Sequence, residues 1–294
     1  MPELPDLVVY AEQLRARVAN DVIRQVDIHN PFLLRTATPP LSAIVGRRVL
    51  EVRRMGKQLV LALEGELFAV IHLMRAGRLR WLERGAKPPG RITLATFVFD
   101  AGVLVLTEAG TRRRASLRIV SGEHDLRALD PGGLEVLEAT PAAFVTRLRS
   151  LNHTAKRALT DGHLFSGIGG AYADEILFRA QLSPIALTAR MSDDEATRLY
   201  HAARSVLTEW TAHLRKEAVA GFPRDVTAFR EGMAVHGRYG KPCPVCGTPV
   251  QRIVYAETET NYCPRCQTGG KVLADRALSR LLHASWPKTV DDLE

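Results

Sequence analysis

Apolar positions Leu7, Tyr10, Ala11, Leu14 and Val18 recur at three- and four-residue spacing and predict a helix over residues 5–19. After it the period shortens, and the first 120 residues read mainly as strands. Gln58–Leu63 and Glu66–Leu73 flank Glu64-Gly65, and Thr96–Phe99 and Val103–Leu106 flank Ala101-Gly102; both are hairpin patterns with suitable turn residues. Asp130-Pro131-Gly132-Gly133 reads as a loop and a domain boundary.

Beyond that loop the pattern turns helical. Thr140 opens a helix over Pro141–Leu151, a second lies near Ala155–Thr160 and a third over Gly170–Ala180. Ser192-Asp193-Asp194-Glu195 is a capping sequence for a long helix reaching about Lys216. Residues 236–270 hold every cysteine, Ala274–His283 reads as a short amphipathic tail helix, and Asp291, Asp292 and Glu294 make the end acidic. The expected class is α+β, in four parts: a β-rich domain over 1–130, a helical domain over 131–235, a cysteine module over 236–270 and a tail over 271–294.

The 294 residues have ordinary globular composition, 46% hydrophobic and 24% charged. The longest apolar runs, such as Leu67–Leu73, are too short to span a bilayer, so no membrane partner is expected. The first ten residues show neither a basic stretch nor an apolar one, so a cytoplasmic place is expected. Net charge is +8, yet Arg47–Arg118 alone carries 15 Lys+Arg against 6 Asp+Glu, a surplus of 9. The clusters are Arg53, Arg54, Lys57; Arg75, Arg78, Arg80; and Arg112, Arg113, Arg114, Arg118. One such cluster is an ordinary solvated surface; three in one region point to a polyanion, most simply nucleic acid.

Cys243-Pro-Val-Cys246 and Cys263-Pro-Arg-Cys266 are separated by sixteen residues. Two CxxC turns so spaced can bring four thiolates to one tetrahedral Zn2+, with strands near Gln251–Tyr255 and Asn261–Tyr262 forming a hairpin between them. A site filled by four cysteines has no open position, so the one zinc is expected to be structural. The bland alternative, two redox pairs, would need only one CxxC each.

Met1-Pro2-Glu3-Leu4-Pro5 alone would be a plain N-terminal turn. A methionine before proline is normally trimmed, however, which leaves Pro2 as a free secondary amine. Such an amine can attack a sugar C1′ and form an iminium directly, while Glu3 beside it can shuttle a proton.

Five landmarks in order give this start its meaning: Pro2-Glu3-Leu4-Pro5; Arg54-Met55-Gly56-Lys57; His72-Leu73 through Gly77-Arg78-Leu79; Lys156 to Glu175; and Tyr262-Cys263-Pro264-Arg265-Cys266-Gln267. In them the chain resembles the formamidopyrimidine-DNA glycosylase and endonuclease VIII family over essentially its whole length. The resemblance implies an N-terminal β-sandwich with a flanking helix, a helix–two-turn–helix domain and a C-terminal zinc β-hairpin. It implies a base-excision glycosylase with associated AP-lyase activity, flipping its target nucleotide out of damaged or abasic DNA. Pro2 would be the nucleophile, Glu3 the acid/base group and Lys57 a hairpin phosphate contact. His72, Met74, Arg75, Arg112, Arg113, Lys156, Gly169, Gly170 and Tyr172 would contact DNA. The expected protein is a nucleoid-associated monomer without a nucleotide cofactor.

Several departures from the family fall on its DNA-handling parts. Where the family reads Gly-Met-Ser-Gly after His-Leu, this chain reads Met74-Arg75-Ala76-Gly77. Arg75 thus takes the place of the methionine that fills the gap left by the flipped base, or Met74 shifts into that role. The Arg-Phe of a second void-filling site reads Thr111-Arg112-Arg113-Arg114, with no aromatic. Gly170 stands where the family has a phosphate-gripping asparagine, and Thr258 where its zinc hairpin has an arginine. Retained chemistry with an altered grip points to a different substrate geometry. The rival readings are a lyase for abasic or single-stranded DNA with little base removal, and a non-catalytic DNA-binding protein. A generic zinc-ribbon RNA-binding protein leaves the N-terminal motif unexplained.

Overall fold

Leu7, Tyr10, Ala11, Leu14 and Val18 all lie buried along one face of α1 (Leu4–Val18), as their spacing requires. Pro5 sits in its first turn, where a missing backbone N–H breaks no helical bond. The computed structural model describes residues 1–223, 230–255, 258–274, 281 and 287–293. The chain forms two compact units, Met1–Pro131 with Trp210–Thr227, and Gly132–Glu209 with Ala228–Glu294. The helical segment and the cysteine module, read from sequence as separate domains, thus share one unit.

In the first unit two four-stranded antiparallel sheets enclose a core. One has β2 (Val49–Met55), β3 (Gln58–Leu63), β4 (Leu67–His72) and β8 (Ser116–Ser121) in that order. The other runs β1 (Gln25–Ile28), β6 (Thr93–Val98), β7 (Val103–Glu108), β5 (Gly77–Leu82). Leu59, Leu61 and Leu63 of β3 join Ala69, Ile71, Leu104, Leu106, Leu117 and the α1 stripe in the main core. Val60 and Ala62 point the other way, against Phe68, Val70 and Leu126 of α2 (Gly122–Arg127). Strand β3 is therefore buried on both faces, which is why its sequence is nearly all apolar.

Both hairpins form, with slightly different ends. Glu66, expected in the strand, has φ 55° and belongs to the turn with Glu64 and Gly65, because Leu63 pairs directly with Leu67. Strand β6 starts at Thr93 and ends at Val98, leaving Phe99 in the connection, where its N–H donates to the Gly102 carbonyl at 2.8 Å.

The second unit opens with α3 (Pro141–Arg149), whose Thr140 Oγ1 accepts from the Ala143 N–H at 3.2 Å. Then come α4 (Ala155–Thr160), α5 (Gly170–Arg179) and α6 (Asp193–Glu217), whose residues from Trp210 on count with the first unit. Ser192 and Glu195 form the expected reciprocal cap: Glu195 N–H to Ser192 Oγ at 3.1 Å, Ser192 N–H to Glu195 Oε2 at 2.9 Å. The cysteine module contains β9 (Gln251–Tyr255) and β10 (Thr258–Tyr262), paired antiparallel, and α7 (Pro264–Thr268). The tail helix expected over Ala274–His283 lies almost wholly outside the described residues. Among the described residues no helix is long and apolar enough to cross a membrane.

Candidate functional site

The N-terminal segment is held from within. Glu3 is the N-cap of α1 and is 3% exposed; its N–H donates to Asp6 Oδ2 at 2.8 Å. Pro2 is buried beside it. Burial lowers the affinity of the Met1 amine for its proton; Glu3 opposes this, Arg78 reinforces it, and Asp6 and Arg75 follow with smaller effects of each sign. The amine, two carboxylates and two arginines are thus one electrostatic group.

Lys57 stands on the two-residue turn between β2 and β3, where Met55 pairs with Gln58. Gly56 takes φ 58°, a left-handed conformation that glycine adopts without strain, and its carbonyl accepts from Arg54 Nη1 at 2.7 Å. His72 ends β4 opposite Gln58. Its ring is pushed down to about 4, by burial first and then by the Lys57 and Arg118 charges. Its Nδ1 accepts from the Met74 N–H at 3.0 Å, so the neutral ring carries its proton on Nε2.

That bond opens the turn 73–77. Met74 has φ 52°, and the Gly77 N–H closes the turn on the Leu73 carbonyl at 2.9 Å. A Cβ on Gly77 would lie 2.2 Å from that carbonyl oxygen, so the position admits glycine alone. Arg78 Nη1 donates to the carbonyls of Gly77 and Arg75, at 2.7 and 3.1 Å. Arg75 is exposed and Met74 half-buried. Arg112 and Arg113 lie on the exposed loop after β7, which the buried Glu108 carboxylate shapes by accepting from the N–H groups of Arg114 (2.9 Å) and Ala115 (3.0 Å). Arg113 donates to the Arg91 carbonyl at 2.5 Å.

In the second unit, Gly169 caps α5 and Gly170 is its first residue. A Cβ at Gly170 would meet nothing within 4 Å, so the place of the family asparagine is open space. Two residues expected at DNA, Tyr172 and Lys156, are largely enclosed by the protein. Tyr172 is 2% exposed, packed in the helical core. Lys156 is paired through Nζ with Asp174 Oδ1 at 2.7 Å and donates to the Glu259 carbonyl at 2.7 Å. Its ammonium is held by protein acceptors, because Asp174 is fully buried and needs a countercharge.

Sequence reasoning missed the hub that this pair belongs to. Asp174 Oδ2 also accepts from His236 Nδ1 at 2.8 Å and the Asn261 N–H at 3.2 Å. Glu175 accepts from the N–H groups of Ala234 (2.7 Å), Val235 (2.9 Å) and His236 (2.9 Å). Burial raises the Glu175 pKa, and those three N–H groups work against the rise. Asn261 Oδ1 takes the Gly237 N–H at 2.7 Å. One Asp-Glu pair on α5 thereby fastens residues 234–237 and strand β10.

The four cysteine sulfurs lie within 4.8 Å of one another. The pairs Cys243–Cys266 and Cys246–Cys263 are 3.9 and 3.4 Å apart. A regular ZnS4 tetrahedron with about 2.3 Å bonds has sulfurs about 3.8 Å apart, so the cluster fits zinc. Gln267 secures the second knuckle, accepting from the Cys263 N–H at 2.8 Å and donating to the Leu182 carbonyl at 2.9 Å.

Comparison with known proteins agrees with this architecture. Residues 1–117 match the formamidopyrimidine-DNA glycosylase N-terminal domain, 132–217 its H2TH domain and 240–269 the zinc finger found in FPG and IleRS. The formamidopyrimidine-DNA glycosylase of Thermus thermophilus is 36% identical over 285 residues, covering 92% of this chain and 100% of its own. The chain belongs to the formamidopyrimidine-DNA glycosylase family. It is a base-excision repair glycosylase with associated AP-lyase activity, and it carries one structural zinc. The crystal structure of the MutM (Fpg) protein from Thermus thermophilus superposes with a TM-score of 0.74 at 35% identity, covering 90% of this chain and 98% of that one. The Lactococcus lactis enzyme bound non-covalently to DNA containing an AP site shares the fold, with a TM-score of 0.79 at 22% identity over 90% of this chain and 99% of that one.

Proposed function

We propose that the reaction runs through the amine of Pro2, freed by removal of Met1, with Glu3 as the acid/base group. The observation that carries this reading is that Pro2 is buried directly beside the buried Glu3 carboxylate at the start of α1. The amine nitrogen attacks C1′ of the flipped nucleotide as the bond from C1′ to the base breaks. Glu3 supplies a proton as the sugar ring opens, leaving an iminium between Pro2 and C1′. Loss of a C2′ proton then expels the 3′ phosphate by β-elimination, and water releases the protein.

Lys57, Arg75, Arg112 and Arg113 engage the DNA in this reading, and the N–H groups of Gly169 and Gly170 offer a phosphate seat at the start of α5. Lys156 and Tyr172 position that seat without touching DNA. The reading includes a cytoplasmic, nucleoid-bound monomer acting on damaged or abasic DNA. A preference for abasic or single-stranded substrates is favoured by Gly170 and Thr258, which lack the side chains that grip a duplex in relatives.

Borohydride trapping on abasic DNA tests the chemistry. The wild-type protein should form a covalent adduct whose peptide maps to Pro2, and Pro2→Gly with a verified N-terminus should release base and cleave the strand far more slowly. Wild-type rates in that variant refute the mechanism. Excision products from oligonucleotides with single defined lesions then identify the base removed.

A further inference from the structure

The match to the family zinc finger ends at residue 269, and the chain continues beyond it. The described part of this continuation is fastened back onto the end of the zinc module. Lys271 and Thr289 form an antiparallel bridge, with the Val272 N–H on the Lys288 carbonyl and the Val290 N–H on the Gly270 carbonyl, both at 2.8 Å. Asp292 Oδ2 secures the strap by accepting from the N–H groups of Lys288 and Thr289, each at 2.9 Å.

An open cavity of about 630 Å³ lies at this junction, and three of its lining side chains are cationic: Arg265, Lys271 and Lys288. All three are exposed and none forms an ion pair among the described residues. Asp291 is the one acid among the described lining residues, and Asp292 adjoins Lys288 from the strap, its carboxylate already taken by the Lys288 and Thr289 N–H groups. Three cations around one cavity outnumber the acids described beside them, Asp291 and Asp292, which suits a phosphodiester, and the cavity adjoins a zinc module in a chain that lacks two family phosphate ligands.

We propose that Arg265, Lys271 and Lys288 form an additional seat for a DNA backbone phosphate, built from the zinc knuckle and the strap that follows it. The proposal rests on the DNA-repair reading and deepens it. The seat reads no sequence; it moves part of the electrostatic grip from the α5 start and the zinc hairpin to the strap.

The test is the salt dependence of binding to an abasic-site duplex by the full, zinc-loaded chain, comparing wild type with Lys271→Gln/Lys288→Gln. The control is Arg24→Gln/Arg48→Gln, which removes the same net charge from arginines already paired with Asp100 and Glu64. The seat predicts that the slope of log Kd against log salt falls by about one per lysine lost in the first variant and stays near wild type in the control. Arg265→Gln with verified zinc content should lower it by a similar step. Equal slopes in all proteins, or an equal fall in variant and control, overturn the seat. Inorganic phosphate that shifts the Gly269 and Gly270 amide resonances, with the DNA slope unaltered, also overturns it, because the ligand is then free phosphate. A wild-type protein that fails to bind DNA refutes the repair reading itself, a result distinct from a failure of the seat.

Discussion

Lys156 Nζ lies 2.7 Å from Asp174 Oδ1, the carboxylate wholly buried and the lysine side chain 13% exposed. Removing one partner of such a pair leaves a buried charge uncompensated, at about 3 kcal/mol. Lys156→Met should destabilise the second unit by about that amount in urea denaturation, and adding Asp174→Asn should recover more than half. The salt slope of DNA binding by the folded variant should match wild type. A slope lower by about one would make Lys156 a phosphate ligand instead.

The open space at Gly170 allows a gain-of-function test. Gly170→Asn puts back the side chain found in relatives, at a place where its Cβ meets no neighbour within 4 Å. A hydrogen bond to a charged phosphate contributes about 1.5 kcal/mol, so duplex affinity should rise about tenfold by fluorescence anisotropy. Unchanged affinity would mean that no phosphate sits at the start of α5.

Arg75 is exposed at the tip of the 73–77 turn, as a wedge into vacated duplex space requires. Arg75→Ala should impair excision from duplex DNA far more than cleavage of abasic single strands, which have no vacancy to fill. Arg75→Met should recover much of the duplex rate. The ratio of the two rates at fixed salt is the measurement; an unchanged ratio makes Arg75 a phosphate contact and Met74 the better wedge.

His72 links this turn to pH. Its folded pKa of about 4 lies below the ordinary 6.5, so below 6.5 the unfolded chain binds a proton that the folded chain refuses. Stability from this group is complete above pH 6.5 and is lost as pH falls towards 4, and protonation also removes the acceptor for the Met74 N–H. Denaturation of His72→Asn should show a flatter pH dependence across that window. An unaltered profile would show that His72 is not the titrating group.

Helix α1, the two hairpins and the zinc cluster were legible in the sequence because each is local: a period, a turn dipeptide or a fixed spacing specifies it. The Asp174–Glu175 hub was not, since its partners Val235, His236 and Asn261 lie 60 or more residues away. The Lys156–Asp174 pair was hidden for the same reason. A lysine in a DNA-binding motif reads as a phosphate ligand, and nothing local announces the acid eighteen residues along, one helix on, that pairs with it. Glu108 shapes the arginine loop through the N–H groups of Arg114 and Ala115, six and seven residues along, a contact that no periodicity or turn dipeptide announces.

The turn between His72 and Gly77 separates what can vary from what cannot. Its anchors are constrained, one needing a neutral acceptor and the other the absence of a side chain, whereas Arg75 at the exposed tip gives the turn its carbonyl, an atom that any residue supplies. A replacement at the tip leaves the frame intact, so the tool inserted into DNA can be swapped by a single codon while the enzyme keeps folding. Within one scaffold, damage preference can therefore diverge between lineages by small steps, each passing through a stable protein.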